Sequence, residues 1–261
     1  MNRFAVIPNL YKDPELIITK KIAETLKAGG KQADIITDCK SLEGYDCAVA
    51  LGGDGTILDV AKKAVESDIP VAGVNLGKIG YLAGIEQDDI EKLLEIDCKR
   101  YRKRMMLEME YRGKVHTALN DIVVSEKRAT KMISLSVSAD NEVPCEYNCS
   151  ALIFSTPTGS SGYNMSAGGP VIDPELECTA VTPVCAHTGT TRCCIYGNDV
   201  VFYTENISSA DKSAVISVDG GKELPFDNKE KIIIRKSNKY VKLIDFGHEP
   251  FAKTLIRKMK I

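Results

Sequence analysis

The 261-residue chain lacks several things at once: an apolar run of membrane-spanning length, an excess of charge of one sign, a Cys-x-x-Cys unit, an internal repeat and any low-complexity stretch. The first absence excludes a helical membrane anchor. Its 34 basic and 36 acidic side chains are interspersed, which excludes the electrostatic footprint of a nucleic-acid or anionic-membrane binder. Nine cysteines at irregular spacings and three isolated histidines exclude a Cys/His zinc site. The thiols read instead as small buried hydrophobes of a reducing compartment. The amino-terminal MNRFAVIPNLYKD has a short strand-like core rather than a secretory signal, so a soluble, cytoplasmic protein is expected.

What is present has a clear rhythm. Phe4 to Ile7 reads as a strand, and Asp13-Pro14 as an N-cap with proline at the first helical position. Ile18, Ile22 and Leu26 then recur at helical spacing until Gly29-Gly30. Ala33 to Ile36, Cys47 to Leu51 and Val71 to Val74 read as buried strands, and Thr56 to Ala64 as a helix. Asp88 with Glu91 has the pattern of a capping box. Alternating strands and helices imply a parallel sheet wrapped by helices. Beyond Asp97 short β runs take over: Met105 to Met109, Ile122 to Ser125, Ile133 to Val137, Leu152 to Phe154, Val200 to Tyr203, Val215 to Val218, Ile232 to Ile234 and Val241 to Ile244. Turns such as Arg112-Gly113, Asp219-Gly220-Gly221 and Asp227-Asn228 separate them, as in a β sandwich. The expectation is an α/β domain over residues 1–99 and a mainly β, sandwich-like domain over 100–249, with the amphipathic helix 250–261 docking back on the first.

GGDGT, Gly52 to Thr56, sits between a strand and a helix, where backbone N–H groups and the helix terminus attract anions. Asp54 within it repels them. It is either an ordinary cap of the following helix or a group that works with a metal ion and a hydroxyl that must lose its proton. A Walker A motif is excluded because the turn has no Gly-Lys-Ser/Thr ending, and a dinucleotide fingerprint fits poorly because Leu58 stands at its third glycine.

A second glycine cluster, Ser155-Thr156-Pro157-Thr158-Gly159-Ser160-Ser161-Gly162-Tyr163 continuing to Ser166-Ala167-Gly168-Gly169-Pro170, follows a strand. Its hydroxyls, N–H groups and one aromatic ring suit a ribose, a phosphate and a stacked base, and long loops of this kind are usually functional. Asn120-Asp121, opening LNDIVVSE, offers adjacent side-chain oxygens able to grip the vicinal hydroxyls of a sugar, or else simply begins a strand.

GGDGTIL, GVNLGKIGYLAG, LNDIVVSE, STPTGSSGYNMSAGGPVIDP, TPVCAHT and ISVDG occur in the order found in the ATP-NAD kinases, and the chain resembles that family from its first strand to its last helix. Lipid kinases and phosphofructokinases share only the glycine turn. The resemblance implies transfer of the ATP γ-phosphoryl group to the adenosine ribose 2′-hydroxyl of NAD with Mg²⁺ or another divalent cation, in a homodimer or homotetramer. It places Asp54 at the acceptor hydroxyl as base or metal organiser, among Gly52, Gly53, Gly55 and Thr56 at the phosphates. It assigns Asn120 and Asp121 to the NAD ribose and Thr158, Ser161, Gly162, Tyr163 and Ser166 to the surroundings of the adenine. Gly80, Tyr81 and Leu82 line the same cleft, and Cys185 and Asp219 lie near the acceptor. The alternatives are an NAD(P)-binding regulator without turnover and a lipid kinase; polyphosphate is an alternative donor.

Two departures bear on the acceptor. Cys149-Ser150-Ala151 stands where family members read Gly-Asp-Gly, so Ser150 replaces an acid at the nicotinamide end. Ser161-Gly162-Tyr163 replaces the commoner Thr-Ala-Tyr. NADH or a related nucleotide is therefore an alternative to NAD. His187 reads as a packed or loop-anchoring residue, His116 and His248 as structural or solvent-facing, and Lys78 and Arg192 as lesser phosphate candidates.

Overall fold

A computed structural model describes residues 2–77, 80–128, 131–140, 142–189, 191–209, 214–247 and 251–259. Lys78 and His248 lie outside the described residues. The chain divides into two compact units, Met1–Arg104 with Tyr240–Ile261, and Met105–Lys239.

The first unit runs β1 (Arg3–Ile7), α1 (Ile17–Ala28), β2 (Gln32–Ile35), β3 (Cys47–Gly52), α2 (Asp54–Glu66), β4 (Val71–Asn75), β5 (Ile85–Glu86) and a 3₁₀ segment, Gln87–Glu95. Strands β4, β3, β1 and β2 lie side by side and parallel, with Ile7 opposite Ala50 and Gly52 opposite Asn75. Phe4, Val6, Val49, Leu51, Ala72 and Val74 bury the sheet against Ile22, Ala23 and Leu26 of α1. Every residue of β3 is buried, because a central parallel strand is covered on both faces. Parallel connectivity brings the carboxyl ends of β1, β3 and β4 to one edge, where open α/β sheets receive their ligands.

Local readings needed correction here. α1 starts at Ile17, after Leu16 in a left-handed conformation, so Pro14 is not its first helical residue. The buried Asp13 still serves the helix end: its carboxylate accepts the Thr19 amide at 2.8 Å, the Thr19 hydroxyl at 2.6 Å and the Ile18 amide at 3.4 Å. β2 is an edge strand with only Ala33 buried. The expected capping box over Asp88 and Glu91 is absent: the segment is 3₁₀, Glu86 precedes it without a side-chain cap, and the Glu86 carboxylate accepts the Asn75 amide instead.

The second unit contains β7 (Lys114–Ala118), β8 (Asp121–Glu126), β9 (Ile133–Ala139), β10 (Cys145–Cys149), β11 (Ala151–Ser155), α3 (Tyr163–Ser166), β12 (Cys178–Val184), β13 (Thr188–Gly189), β14 (Cys194–Gly197), β15 (Phe202–Asn206), β16 (Ala214–Val218) and β17 (Leu224–Phe226). The chain enters it along β6 (Tyr101–Tyr111) and leaves along β18 (Lys231–Ile244) before α4 (Phe251–Met259). One sheet has the order β13-β10-β9-β15-β18 and the other β14-β12-β11-β8-β16-β17. Leu135, Val137, Phe202 and Ile234 from the first meet Ile122, Leu152, Phe154 and Ile216 from the second in one core, which makes the unit a sandwich. Complete burial of a side chain such as Phe154 is worth about 2–3 kcal/mol against its exposure. Ile232 to Ile234 and Val241 to Ile244, read as separate strands, belong to the single strand β18. The polar stretch between them stays extended; within it Ser237 is buried and the Arg235 guanidinium reaches Glu108 at 2.7 Å.

Candidate functional site

The turn between β3 and α2 shows what Asp54 does. Gly53, extended and without a side chain, occupies the N-cap, so the helix begins two residues before Thr56, with Asp54 in its first turn. The carboxylate does not cap the helix. Its Oδ2 accepts the Tyr81 amide at 2.6 Å and its Oδ1 accepts the Leu82 amide at 3.0 Å. A side chain on Gly80 would overlap this carboxylate and push it from its present position. The Tyr81 phenol is pushed above its ordinary pKa, first by burial and then by the Asp54 charge. Asp54 is thus half-buried and fixed from outside its own turn, while each oxygen keeps a lone pair for a further partner.

The rest of that edge is equally built. Gly52 packs against Thr56, where a Cβ would collide with the threonine side chain. Thr56 Oγ1 accepts the Asn9 side-chain amide at 2.6 Å, and Asn9 Oδ1 accepts the Tyr11 and Lys12 amides at 3.0 and 3.1 Å. A Cβ on Gly53 would stand 3.2 Å from the Lys12 Nζ, and one on Gly77 3.3 Å. Asn75, buried opposite Gly52, donates to the Gly77 carbonyl at 3.0 Å and to Glu86 at 2.8 Å, and its Oδ1 has no partner among the described residues. Asn9 and Lys12, in the loop after β1, carried no sequence signal because they reach the glycine turn from another strand end, and Asn75 at the end of β4 entered only as part of GVNLGKIGYLAG.

In the second unit, Asp219 organises the Asn-Asp pair. It lies in a turn with positive φ at both Asp219 (50°) and Gly220 (66°), closed by the Gly221 amide on the Val218 carbonyl at 3.0 Å. Its Oδ1 accepts the amides of Asn120 at 2.7 Å and Asp121 at 3.0 Å, and its Oδ2 accepts the Leu119 amide at 2.9 Å. The glycine-rich loop is tied to the same backbone. The Thr156 hydroxyl donates to the Leu119 carbonyl at 2.5 Å and the Thr156 amide to the Asn120 carbonyl at 2.9 Å. A Cβ on Gly159 would overlap the Asn120 carbonyl. Much of the loop's hydroxyl inventory is therefore spent internally: Thr156 and Ser160 are fully buried, and Ser160 bonds Pro157 and Ile172. Asn164 braces the loop by donating to the Ser160 and Pro170 carbonyls.

Asn120, Asp121, Val123, Ser125, Tyr163, Ser217, Asp219 and Gly220 line a pocket of ≈ 430 Å³. Its one ring, Tyr163, is 44% exposed, and its phenol is raised above the ordinary value by burial, then by Cys185 and Asp121. The pocket combines a stacking face with an amide and carboxylates able to accept sugar hydroxyls, within the size of small-molecule sites. Among the other expected residues, Thr158 is buried; the Ser161 hydroxyl donates to the Thr158 carbonyl and the Ser166 hydroxyl to the Gly162 carbonyl, both at 3.4 Å. Ser150 is half-buried, its backbone paired with Val184 and Glu126. Cys185 is exposed with φ 49°. The His187 side chain is exposed and its amide donates to the Asn148 carbonyl; His116 is half-buried on β7, and Arg192 is exposed before β14.

Comparison with known proteins settles the kinship. A model of the ATP-NAD kinase N-terminal domain matches residues 10–98, and one of the ATP-NAD kinase C-terminal domain matches 119–246. The chain belongs to the ATP-NAD kinase family. This family member is 35% identical to the NAD kinase of Lachnoclostridium phytofermentans, with 96% of each chain covered. It is 33% identical to that of Thermoanaerobacter pseudethanolicus, with 99% of each covered. The solved NAD kinase of Archaeoglobus fulgidus, in complex with ATP, superposes with a TM-score of 0.82 at 26% identity, over 99% of this chain and 98% of that one. Yeast NADH kinase complexed with NADH has the same fold at TM-score 0.82 and 18% identity, covering 100% and 88%. The enzyme is a phosphotransferase of two-domain architecture.

Proposed function

We propose that this ATP-dependent NAD kinase uses Asp54 as the base for the acceptor hydroxyl. The observation carrying this reading is the Asp54 carboxylate, oriented by the Tyr81 and Leu82 amides at the amino end of α2. A ribose hydroxyl is a poor nucleophile until its proton is removed, and a carboxylate is a weak base, so positioning matters more than basicity. In the proposed step the proton of the adenosine ribose 2′-hydroxyl passes to a carboxylate oxygen of Asp54. The 2′-oxygen bonds to the γ-phosphorus of ATP, the bond from that phosphorus to the β–γ bridging oxygen breaks, and ADP leaves. Asn120 and Asp121 hold the NAD ribose, Asp219 keeps that pair in register, and Tyr163 stacks on the base. Thr158, Ser161, Gly162, Ser166 and Cys185 shape the pocket, and Ser150 faces the nicotinamide end. Gly52, Gly53, Gly55 and Thr56 receive the phosphates through backbone N–H groups.

A divalent cation fits these residues as a passenger of the triphosphate. Among the described residues no cluster of three or more His, Cys, Asp or Glu could chelate it alone. Magnesium is commonly held by one or two carboxylates together with substrate phosphates, and Asp54 is the carboxylate offered here. When bound, the ion neutralises phosphate charge and reconciles an acidic residue with an anion-binding turn. A homodimer or homotetramer and a cytoplasmic location complete the proposal, the latter supported by cysteines that are all free.

The test is a kinase assay over NAD and NADH with ATP or polyphosphate, repeated with Asp54→Asn. Turnover should fall by at least about a hundredfold while NAD binding persists. Near-normal turnover removes Asp54 from the mechanism.

A further inference from the structure

The glycine turn lacks in sequence the lysine that phosphate-binding turns of Walker type carry, and it holds an aspartate that opposes the anion it is meant to receive. The fold brings a lysine to it from elsewhere. The loop after β1 is pinned to the first turn of α2 by the Asn9–Thr56 hydrogen bond, and Asn9 also accepts the Lys12 amide, so the lysine backbone is fixed relative to the glycines. The side chain then crosses the turn, and one ammonium group lies in contact range of two separate glycine positions, Gly53 at the N-cap of α2 and Gly77 beyond β4. Nothing among the described residues pairs with that ammonium: its only hydrogen bonds are through its backbone. The first intrahelical bond of α2 runs from the Ile57 amide to the Gly53 carbonyl, which leaves the amides of Asp54, Gly55 and Thr56 without an acceptor in the helix. The same edge carries the buried Asn75, whose Oδ1 has no partner among the described residues, a second group open to a ligand, water or ion.

We infer that Lys12 binds the triphosphate of the phosphoryl donor, supplying from the β1–α1 loop the cation that the glycine turn does not encode. Fixed at its base by Asn9 and flanked by two residues without side chains, the ammonium has a clear approach to a phosphate oxygen. Its positive charge offsets the Asp54 carboxylate within the same turn. The inference rests on the reading that the donor phosphates occupy this turn.

The test compares the wild-type enzyme with Lys12→Ala and Lys12→Arg in steady state, varying ATP at saturating NAD and then NAD at saturating ATP. Because the contact is a charge-assisted one, Lys12→Ala should raise the KM for ATP by roughly tenfold or more. The KM for NAD should stay within twofold, Lys12→Arg should recover most of the ATP affinity, and the thermal midpoint should hardly move because the side chain is exposed. An unchanged ATP KM in Lys12→Ala, or an equal rise in both KM values, overturns the inference. Adding inorganic tripolyphosphate to ¹⁵N-labelled wild-type protein separates the two ways of failing. Shifts of the Gly53, Gly55 and Thr56 amides with an unaffected Lys12→Ala variant would sink the role of the lysine alone. No shift at those amides would sink the placement of the donor, and the lysine with it.

Discussion

Replacing Asp219 by Asn asks whether one carboxylate holds the acceptor pocket in register. Its two oxygens accept three backbone amides, at 2.7 and 3.0 Å on Oδ1 and 2.9 Å on Oδ2. Asparagine preserves the shape and is well tolerated at a φ of 50°, so backbone strain is not what changes. One oxygen, however, becomes an NH₂ facing an N–H, and the remaining two bonds lose their charge assistance. Hydrogen bonds to charged groups contribute about 1.5–3 kcal/mol each, and the half-exposed position reduces this, so a loss of roughly 2 kcal/mol is expected. At about 2–4 °C per kcal/mol for a chain of this size, the thermal midpoint should fall by about 4–8 °C. The displaced strand start carries Asn120 and Asp121, so the KM for NAD should rise several-fold, on the order of 1 kcal/mol of binding, with the KM for ATP little changed. Circular dichroism melting and initial-rate kinetics measure the two effects. A midpoint within 1 °C of wild type together with an unchanged NAD KM would refute the clamp.

Four further outcomes follow from named contacts. Gly80→Ala drives a methyl into the Asp54 carboxylate and should lower kcat by about tenfold or more while far-ultraviolet dichroism stays native; wild-type turnover would show that Asp54 need not be held there. Gly159→Ala collides with the Asn120 backbone carbonyl, which cannot yield as a side-chain tip can, and should cost about 2 kcal/mol or more in chemical denaturation. Burial raises the pKa of Asp13, but hydrogen bonds from the Thr19 hydroxyl and the Thr19, Ile18 and Ile17 amides outweigh it and hold the carboxyl below its ordinary value. Its stabilisation is therefore present above the unfolded-chain pKa near 4 and is lost as pH falls through the lowered folded value, so Asp13→Asn should flatten the acid limb of a stability-against-pH curve. Burial pushes the Cys149 thiol up to about 12, so mass spectrometry after native alkylation at pH 8 should find Cys145 and Cys185 labelled and Cys149 intact.

Where the sequence was legible, one local pattern decided one element. The helical spacing of Ile22 and Leu26, the apolar run Cys47 to Leu51 and the positive-φ signals Arg112-Gly113 and Asp219-Gly220 each fix backbone geometry within a few residues. Local reading failed where a distant partner overrode it. Asp13 serves its helix from outside the cap position, Glu86 is drawn to Asn75, and β18 continues through polar residues that no apolar run announces. The loop from Thr156 to Asn164 read as a store of free hydroxyls because the carbonyls of Leu119 and Asn120 that engage it lie far off in the chain.

By itself the sequence determined the α/β and β-rich halves, the family, and the residue types at the glycine turn and the Asn-Asp pair, since these depend on periodicity and on short motifs. Only the tertiary structure decided what those residues do to one another. Asp54 is aimed by amides 27 and 28 residues away, Asp219 clamps amides about a hundred residues upstream, and Lys12 reaches glycines from two other strand ends. Contacts of that separation are set by strand order in a folded sheet, and no spacing along the chain encodes them.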